Sequence, residues 1–169
     1  AHTIASQVLT AWYHDRRRGL DALMLAGTRD LVAQLNHAAR DIRTNGQPAG
    51  PEVALADGNR ASTGDVIITR RNNRQLRTGR DQWVKNGDRW TVTAIHHDGS
   101  LDAQHQRSHR SITLPADYVE AWCELGYATT IHTAQGVTAD TCHGLLTGEE
   151  DRQLAYTMLT RGRHANHAW

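Results

Sequence analysis

The sequence predicts an α/β domain interrupted by a small β module. Three observations carry this expectation. Residues 1–43 read helix, strand, helix. Residues 64–118 hold short β-rich runs parted by Asn86-Gly87 and Asp98-Gly99 turns. From residue 119 onward the alternation of strand and helix resumes.

Ile4, Val8 and Trp12 recur at helical spacing, and Arg16-Arg17-Arg18-Gly19 closes that helix with cations at its negative end and a Gly stop. Ala22-Leu23-Met24-Leu25-Ala26 is a continuous apolar run suited to a strand buried on both faces. Gly27 breaks it. Thr28 can cap a helix whose apolar face is Leu31, Leu35, Ala38 and Ile42. Residues 44–51 are turn-rich, with Asn45-Gly46, Pro48 and Pro51. Val66–Thr69, Trp90–Ile95, a run near Leu101 and Ser111–Leu114 are the β-rich segments, close enough together for a small barrel. Pro115 fits the first position of a helix through Cys123. Tyr127–Ile131 is strand-like, His143–Leu146 is a further apolar run, and Leu154–Leu159 is helical.

Composition excludes several functions. The 169 residues include one lysine, Lys85, in Trp83-Val84-Lys85-Asn86-Gly87. A Walker A loop needs G-x-x-x-x-G-K-[ST], so the chain carries no standard phosphate loop of its own. A mean hydropathy of −0.62 and the lack of a long apolar run argue against a membrane span. No signal peptide is read at Ala1-His2-Thr3, and no Cys-x-x-Cys joins Cys123 and Cys142, so a reducing cytoplasm is expected. Lacking an initiator Met, the chain is expected to be an excised piece.

The net charge of +1 hides an uneven distribution. Residues 60–90 carry eight bases and three acids, whereas 91–169 carry five bases and nine acids. Arg60, Arg70, Arg71, Arg74, Arg77, Arg80, Lys85 and Arg89 form a local basic field that could neutralise phosphates. The alternative is a solvated segment whose arginines pair with nearby acids.

Two segments carry chemistry. In Gly126-Tyr127-Ala128-Thr129-Thr130-Ile131-His132-Thr133-Ala134-Gln135-Gly136, a strand runs into Thr and His and then a tight Gln-Gly. Such a segment would present hydroxyl, imidazole and N–H groups at a helix N-terminus, where an anion binds. The other reading is a capped helix after a core strand. In Arg152–Arg163, Leu154 and Met158 face a core, and Thr160-Arg161-Gly162 emerges at the helix end. Arg161 there suits either a phosphoryl contact with fork geometry or a favourable place against the helix dipole.

Together and in this order, the two segments resemble motifs V and VI of superfamily 1 helicases. Tyr127, Ala128, Thr130, His132, Gln135 and Gly136 match motif V of the RecD-like branch, and Tyr156, Thr160 and Arg161 match motif VI. Ala26-Gly27-Thr28-Arg29 with Leu35-Asn36 is similar to the segment opening the second RecA-like domain. Gly64-Asp65-Val66, Arg71-Asn72 and Asn86-Gly87-Asp88 resemble its inserted SH3-like barrel. The ending Thr160–Ala168 resembles the helicase part of conjugative relaxases of the TrwC/TraI type, especially the TraA-like ones. The likeness runs from about Leu20 to Trp169 and is weakest over Glu52–Ser62 and Asp102–Arg110.

The resemblance implies a RecA-like parallel sheet with helices on both faces: residues 1–63 and 119–169 form the domain, with the barrel at 64–118. It implies a motor-domain fragment of an ATP-dependent 5′-to-3′ DNA helicase from a conjugative relaxase-helicase. A RecD-type repair helicase and a stand-alone nucleic-acid-binding module are the alternatives. Arg161 would be the arginine finger on the γ-phosphate. Gln135, Gly136, Tyr156 and Thr160 would shape and couple the ATP site. Thr28, Arg29, Arg71, Asn72, Thr130 and His132 would contact single-stranded DNA. ATP and Mg2+ would be held mainly by upstream motifs that this chain lacks. Single-stranded DNA, the upstream RecA-like domain and other conjugation proteins are the implied partners. Thr138 stands where some superfamily 1 members carry an acid.

Other candidates are weaker. His96-His97, His105 with His109, and His164 with His167 supply pairs where metal sites need three or four converging ligands, so no metal is expected. Cys123 and Cys142 suit buried apolar positions. Trp90 suits barrel core, Trp83 either core or base stacking, and Glu149-Glu150-Asp151 a helix N-terminus.

Overall fold

The computed structural model describes residues 3–47 and 50–169, which leaves Pro48 of the expected turn outside the described residues. The chain runs α1 (Ile4–Arg17), β1 (Ala22–Ala26), α2 (Arg29–Thr44), β2 (Glu52–Ala54), β3 (Arg60–Ser62) and β4 (Val66–Thr69). Next come β5 (Asn73–Gly79), β6 (Gln82–Val84), β7 (Arg89–Ile95), β8 (Leu101–His105), β9 (Ser111–Leu114), α3 (Ala116–Trp122) and β10 (Cys123–Leu125). The last part holds β11 (Ala128–Thr130), a 3-10 turn (His132–Ala134), β12 (Ala139–Leu145), α4 (Arg152–Met158) and β13 (Gly162–Ala168). Two compact units divide it: Ala1–Ile42 with Tyr127–Trp169, and Arg43–Gly126.

In the first unit, among the described residues, four strands form one sheet in the order β11-β1-β12-β13. Every neighbouring pair is parallel. β1 is central, and all of its residues are buried, as its unbroken apolar run requires. Thr3 caps α1 by accepting the Ser6 N–H, and Val8 and Trp12 turn inward. The Trp12 indole donates to Ala22 O at 3.1 Å and meets Tyr127 edge-on at 5.5 Å. Thr28 Oγ1 accepts the Leu31 N–H, as expected of a cap.

The buried face of α2 differs from the one read in the sequence. It is Leu35, Asn36 and Ala39, whereas Ile42 is 40% exposed. Asn36 sets this rotation. Its amide accepts from Ala128 N–H at 2.8 Å and donates to Ala128 O at 3.1 Å, satisfying both backbone groups of an edge strand.

The second unit holds an antiparallel sheet in the order β10-β4-β7-β8-β9 and two hairpins, β2–β3 and β5–β6. Ile67, Ile68, Trp90, Val92, Leu101 and Leu114 form its core. It is wider than the 64–118 window of the sequence reading. Cys123–Leu125 leaves the helix and pairs with Thr69–Ile67 of β4. The Arg43 guanidinium, at 2.9 Å from Asp65 and 3.1 Å from the Ser62 hydroxyl, ties the start of the unit to its interior. At its other end, buried Arg89 donates to Gly126 O at 3.0 Å. A side chain at Gly126 would come within 2.8 Å of the Ile67 backbone.

The first unit also buries an ionisable pair. His143 Nε2 lies 2.9 Å from Asp15 Oδ2, and the His143 ring is stacked on His167 at 5.0 Å. Burial pushes the His143 pKa below the ordinary 6.5, against the opposing pull of Asp15. Asp15 is also buried, which opposes its ionisation. The neighbouring Thr141 and His143 side chains outweigh this and, with the charge on Arg18, leave its carboxyl below the ordinary 3.8.

The sign for stability follows from the depressed His143 value. The unfolded chain takes up a proton near pH 6.5 and the folded chain resists it. The contribution is therefore whole above that pH and is lost as pH falls through the folded-state value. The urea midpoint should drop between pH 7 and pH 5, and His143→Gln should flatten that drop. A midpoint in the variant that falls as steeply as in the parent would reject this assignment.

Candidate nucleotide and nucleic-acid site

Parallel strands end at one edge of their sheet, where ligands of open α/β folds commonly sit. β1 ends at Ala26, opposite Thr130 of β11, and the Ile131 N–H donates to Ala26 O at 3.1 Å. Thr28 and Arg29, just past β1, therefore gather with Thr130 and His132 at this edge. Thr28, Arg29 and His132 are exposed and Thr130 is half-buried. The Thr130 hydroxyl lies 2.7 Å from the Thr133 hydroxyl and accepts the Thr133 N–H at 3.2 Å. Thr129 reaches the same Thr133 hydroxyl at 2.8 Å.

The helix expected after this strand is absent. A 3-10 turn, His132–Ala134, takes its place, and Gly136 at φ +82° leads straight toward β12. The Val137 N–H returns to Ala134 O at 3.0 Å. The cause is topological: β12 is parallel to β1, so residues 131–138 must carry the chain back across the sheet and have no length left for a helix. Hydroxyl and imidazole are thus presented at a strand end.

The opposite edge holds the other group. The Ala139 N–H donates to Arg161 O at 3.3 Å, and Ala139 pairs with Gly162. Arg161 therefore stands at the start of β13, and the exposed Gln135 and Gly136 lie on the segment linking the two edges. The Thr160 hydroxyl donates to Tyr156 O at 3.0 Å and accepts from Arg161 Nη2 at 3.2 Å. Arg161 Nε is buried with no hydrogen-bond partner among the described residues. Tyr156 is 69% exposed. Asp151 caps α4 by accepting the Leu154 N–H, in keeping with the helix start expected at that acidic run, and Met158 is buried. Glu150 instead closes its loop, accepting N–H groups of Thr147 and Gly148 at 2.9 Å.

In the second unit, Arg71 lies over the Trp122 ring at 4.7 Å, and Asn72 Oδ1 accepts the Asn86 N–H at 2.8 Å. The basic window divides. Arg60 pairs with Glu52 at 3.5 Å, Arg70 with Glu124 at 2.8 Å, and Arg89 is buried. Arg74, Arg77, Arg80 and Lys85 are exposed on the β5–β6 hairpin. Half-buried Trp83 lies beneath Arg74 at 5.1 Å and Lys85 at 5.3 Å. Sequence reading missed this hairpin because Asn73–Gly79 lacks alternation; the signal was the density of arginine around Trp83. Trp90 is core, as expected, and both cysteines are buried. Burial, then Glu124 and Asp57, pushes the Cys123 thiol up to about 12. His96 sits 3.0 Å from Asp102, and His105 Nδ1 accepts from Ser108 N–H at 3.1 Å.

This arrangement has known counterparts. Residues 53–123 match the family of the Rv2311 SH3-like barrel domain. Over 92 residues the chain is 33% identical to Rv2311 of Mycobacterium tuberculosis, covering 53% of this chain and 52% of that one. Over 159 residues it is 31% identical to a probable conjugal transfer protein TraA of Sinorhizobium fredii, covering 92% of this chain and 14% of TraA. TraA of Agrobacterium fabrum is 30% identical over 93% of this chain and 14% of its own length. The chain thus spans about half of the first relative and a small part of the others.

A Bacteroides Pif1 structure bound to single-stranded DNA matches with TM-score 0.60 and 17% identity, over 87% of this chain and 40% of that one. The Pif1 helicase of Candida albicans gives TM-score 0.60 and 11% identity, over 98% of this chain and 51% of that one. The fold is a RecA-like parallel sheet interrupted by an SH3-like barrel. Over 92% of its length the chain is similar to the TraA conjugal transfer proteins, and its fold is that of the matched Pif1 structures.

Gly162 fixes the position of Arg161. A side chain there would come within 2.1 Å of Ala165 O and 3.0 Å of Cys142 N. The Asn166 amide clasps its N–H at 2.7 Å and its carbonyl at 3.0 Å. Gly162→Ala should destabilise the first unit by about 1–3 kcal/mol, read by urea unfolding. A change within about 0.5 kcal/mol would show that β13 yields without strain.

Proposed function

We propose that this chain is the second motor domain of an ATP-dependent 5′-to-3′ DNA helicase within a conjugative relaxase-helicase. What supports the reading is one coincidence: residues matching motifs V and VI sit at opposite edges of one parallel sheet, joined by Gln135 and Gly136, in a chain similar to TraA over 92% of its length. In this reading Arg161 reaches the γ-phosphate of ATP, whose lysine and magnesium ligands belong to an upstream domain. The guanidinium supplies charge where the phosphoryl group develops it. Thr28, Arg29, Thr130 and His132 hold the DNA strand at the other edge, and Gln135, Gly136, Tyr156 and Thr160 couple the two.

The test uses the parent protein with both motor domains. Arg161→Ala should lower DNA-stimulated hydrolysis by about 10³-fold or more and leave the Kd for single-stranded DNA within about twofold. The 169-residue chain alone should not hydrolyse ATP. Hydrolysis surviving the substitution would remove the finger role.

The basic hairpin adds a strand contact in the same reading. Replacing Arg74, Arg77, Arg80 and Lys85 with Gln should weaken oligothymidine binding. It should also flatten the dependence of log K on log salt by about 0.7 for each phosphate no longer neutralised. An unchanged slope would exclude the hairpin from the strand path. A second reading, a barrel used as a binding module in its own right, is favoured by its recurrence in Rv2311, where the matched region is 52% of the chain. Salt-dependent binding that persists in a parent with Thr130 and His132 replaced by Ala would support that reading.

A further inference from the structure

We propose that Asp15, His143 and His167 form a binding site for a divalent transition-metal ion of the Zn2+ class. The site owes nothing to the motif residues. One donor atom from each side chain lies within 4.8 Å of the other two. His143 and His167 are register partners on adjacent parallel strands, β12 and β13, which is why their rings meet. Asp15 comes from the last turns of α1.

Asp15 Oδ2 and His143 Nε2 stand 2.9 Å apart, so the hydrogen-bonded pair has to open by only about 0.5 Å to hold a tetrahedral ion about 2.0–2.2 Å from each. Arg18 lies on the other carboxylate oxygen, Oδ1, at 3.8 Å, leaving Oδ2 to the histidine side. Two imidazoles and a carboxylate are the donor set that Zn2+ accepts with an open position.

His143 is 2% exposed and turns its Nε2 toward Asp15. A hydrogen-bonded core pair has no need of a second imidazole, yet His167 is exposed and stacked on the first. A cavity of about 700 Å3, lined by His14, Asp15, Arg18, His143, His167 and Trp169 among others, opens onto the cluster and gives an ion and its water ligands a way in.

The experiment is titration of the 169-residue chain with Co2+ and Zn2+. Co2+ should give visible ligand-field bands that saturate at one equivalent and vanish on adding Zn2+, and Zn2+ should raise Tm. His167→Gln, at an exposed position that should not disturb folding, should weaken Zn2+ binding by at least about tenfold and abolish the bands. Asp15→Asn should weaken it similarly, while His164→Gln, on the same strand outside the cluster, should not. Absence of Co2+ bands, or Zn2+ affinity unchanged by His167→Gln, would overturn the proposal. Equal loss in His164→Gln would overturn it too, by pointing to surface histidines.

Discussion

The structure of the first unit depends on β1 being buried along its whole length between two parallel neighbours. Leu23, Met24 and Leu25 have no exposure, and each such side chain contributes about 1.5–3 kcal/mol when removed from water. Parallel neighbours cannot be reached by a tight turn, so both partners of β1 must arrive by crossovers. β11 lies on one side and β12 on the other. The whole second unit sits in the first of these crossovers, between α2 and β11. The insertion is tolerated because the elements flanking it are held within the first unit. Asn36 of α2 bonds both backbone groups of Ala128, and Met24 N–H donates to Tyr127 O at 3.0 Å.

The same parallel order separates the chemistry into two edges. A strand end and a strand start cannot share an edge, so Thr130 and Arg161 are held apart by the length of the sheet. Residues 131–138 are the covalent route between the two edges. Gly136 makes that route possible at φ +82°, a conformation most side chains resist. In the proposed function this link would carry the nucleotide signal to the DNA strand, and it is built without an α-helix.

Legibility in the sequence followed the strength of local signals. β1 was readable because an unbroken apolar run bounded by Gly leaves few alternatives. The barrel core was readable from Val66-Ile67-Ile68 and from Trp90 alternating with Val92. α2 was readable as a helix but not for its buried face, because a polar residue, Asn36, outranks Ala38 and Ile42 once an edge strand needs its hydrogen bonds. β13 left no trace: Gly162–Ala168 contains no β-branched residue, and its pairing with β12 alone makes it a strand. Of the site, the motif residues were found by resemblance. Their division between edges, and the meeting of Asp15 with two histidines, depend on strand order, which no local pattern encodes.

The β12–β13 ladder carries more than its composition suggests. Between the pairs Ala139/Gly162 and Thr141/Ala165 the register shifts by one residue, so β13 carries one extra position there. The side chains at the shift show its effect. Arg163 and His164, consecutive in sequence, both approach Asp140, at 2.6 Å and 3.7 Å, and Asn166 folds back on Gly162. Without the shift, Asn166 would stand beside His143, and the two imidazoles would not stack. With it, the start of the strand fixes Arg161 next to Ala139 while its end places His167 on His143. One bulge therefore sets both the arginine at the sheet's leading edge and the histidine pair farther along. A substitution that relaxed it, such as Asn166→Leu, would be felt at both positions through the backbone alone.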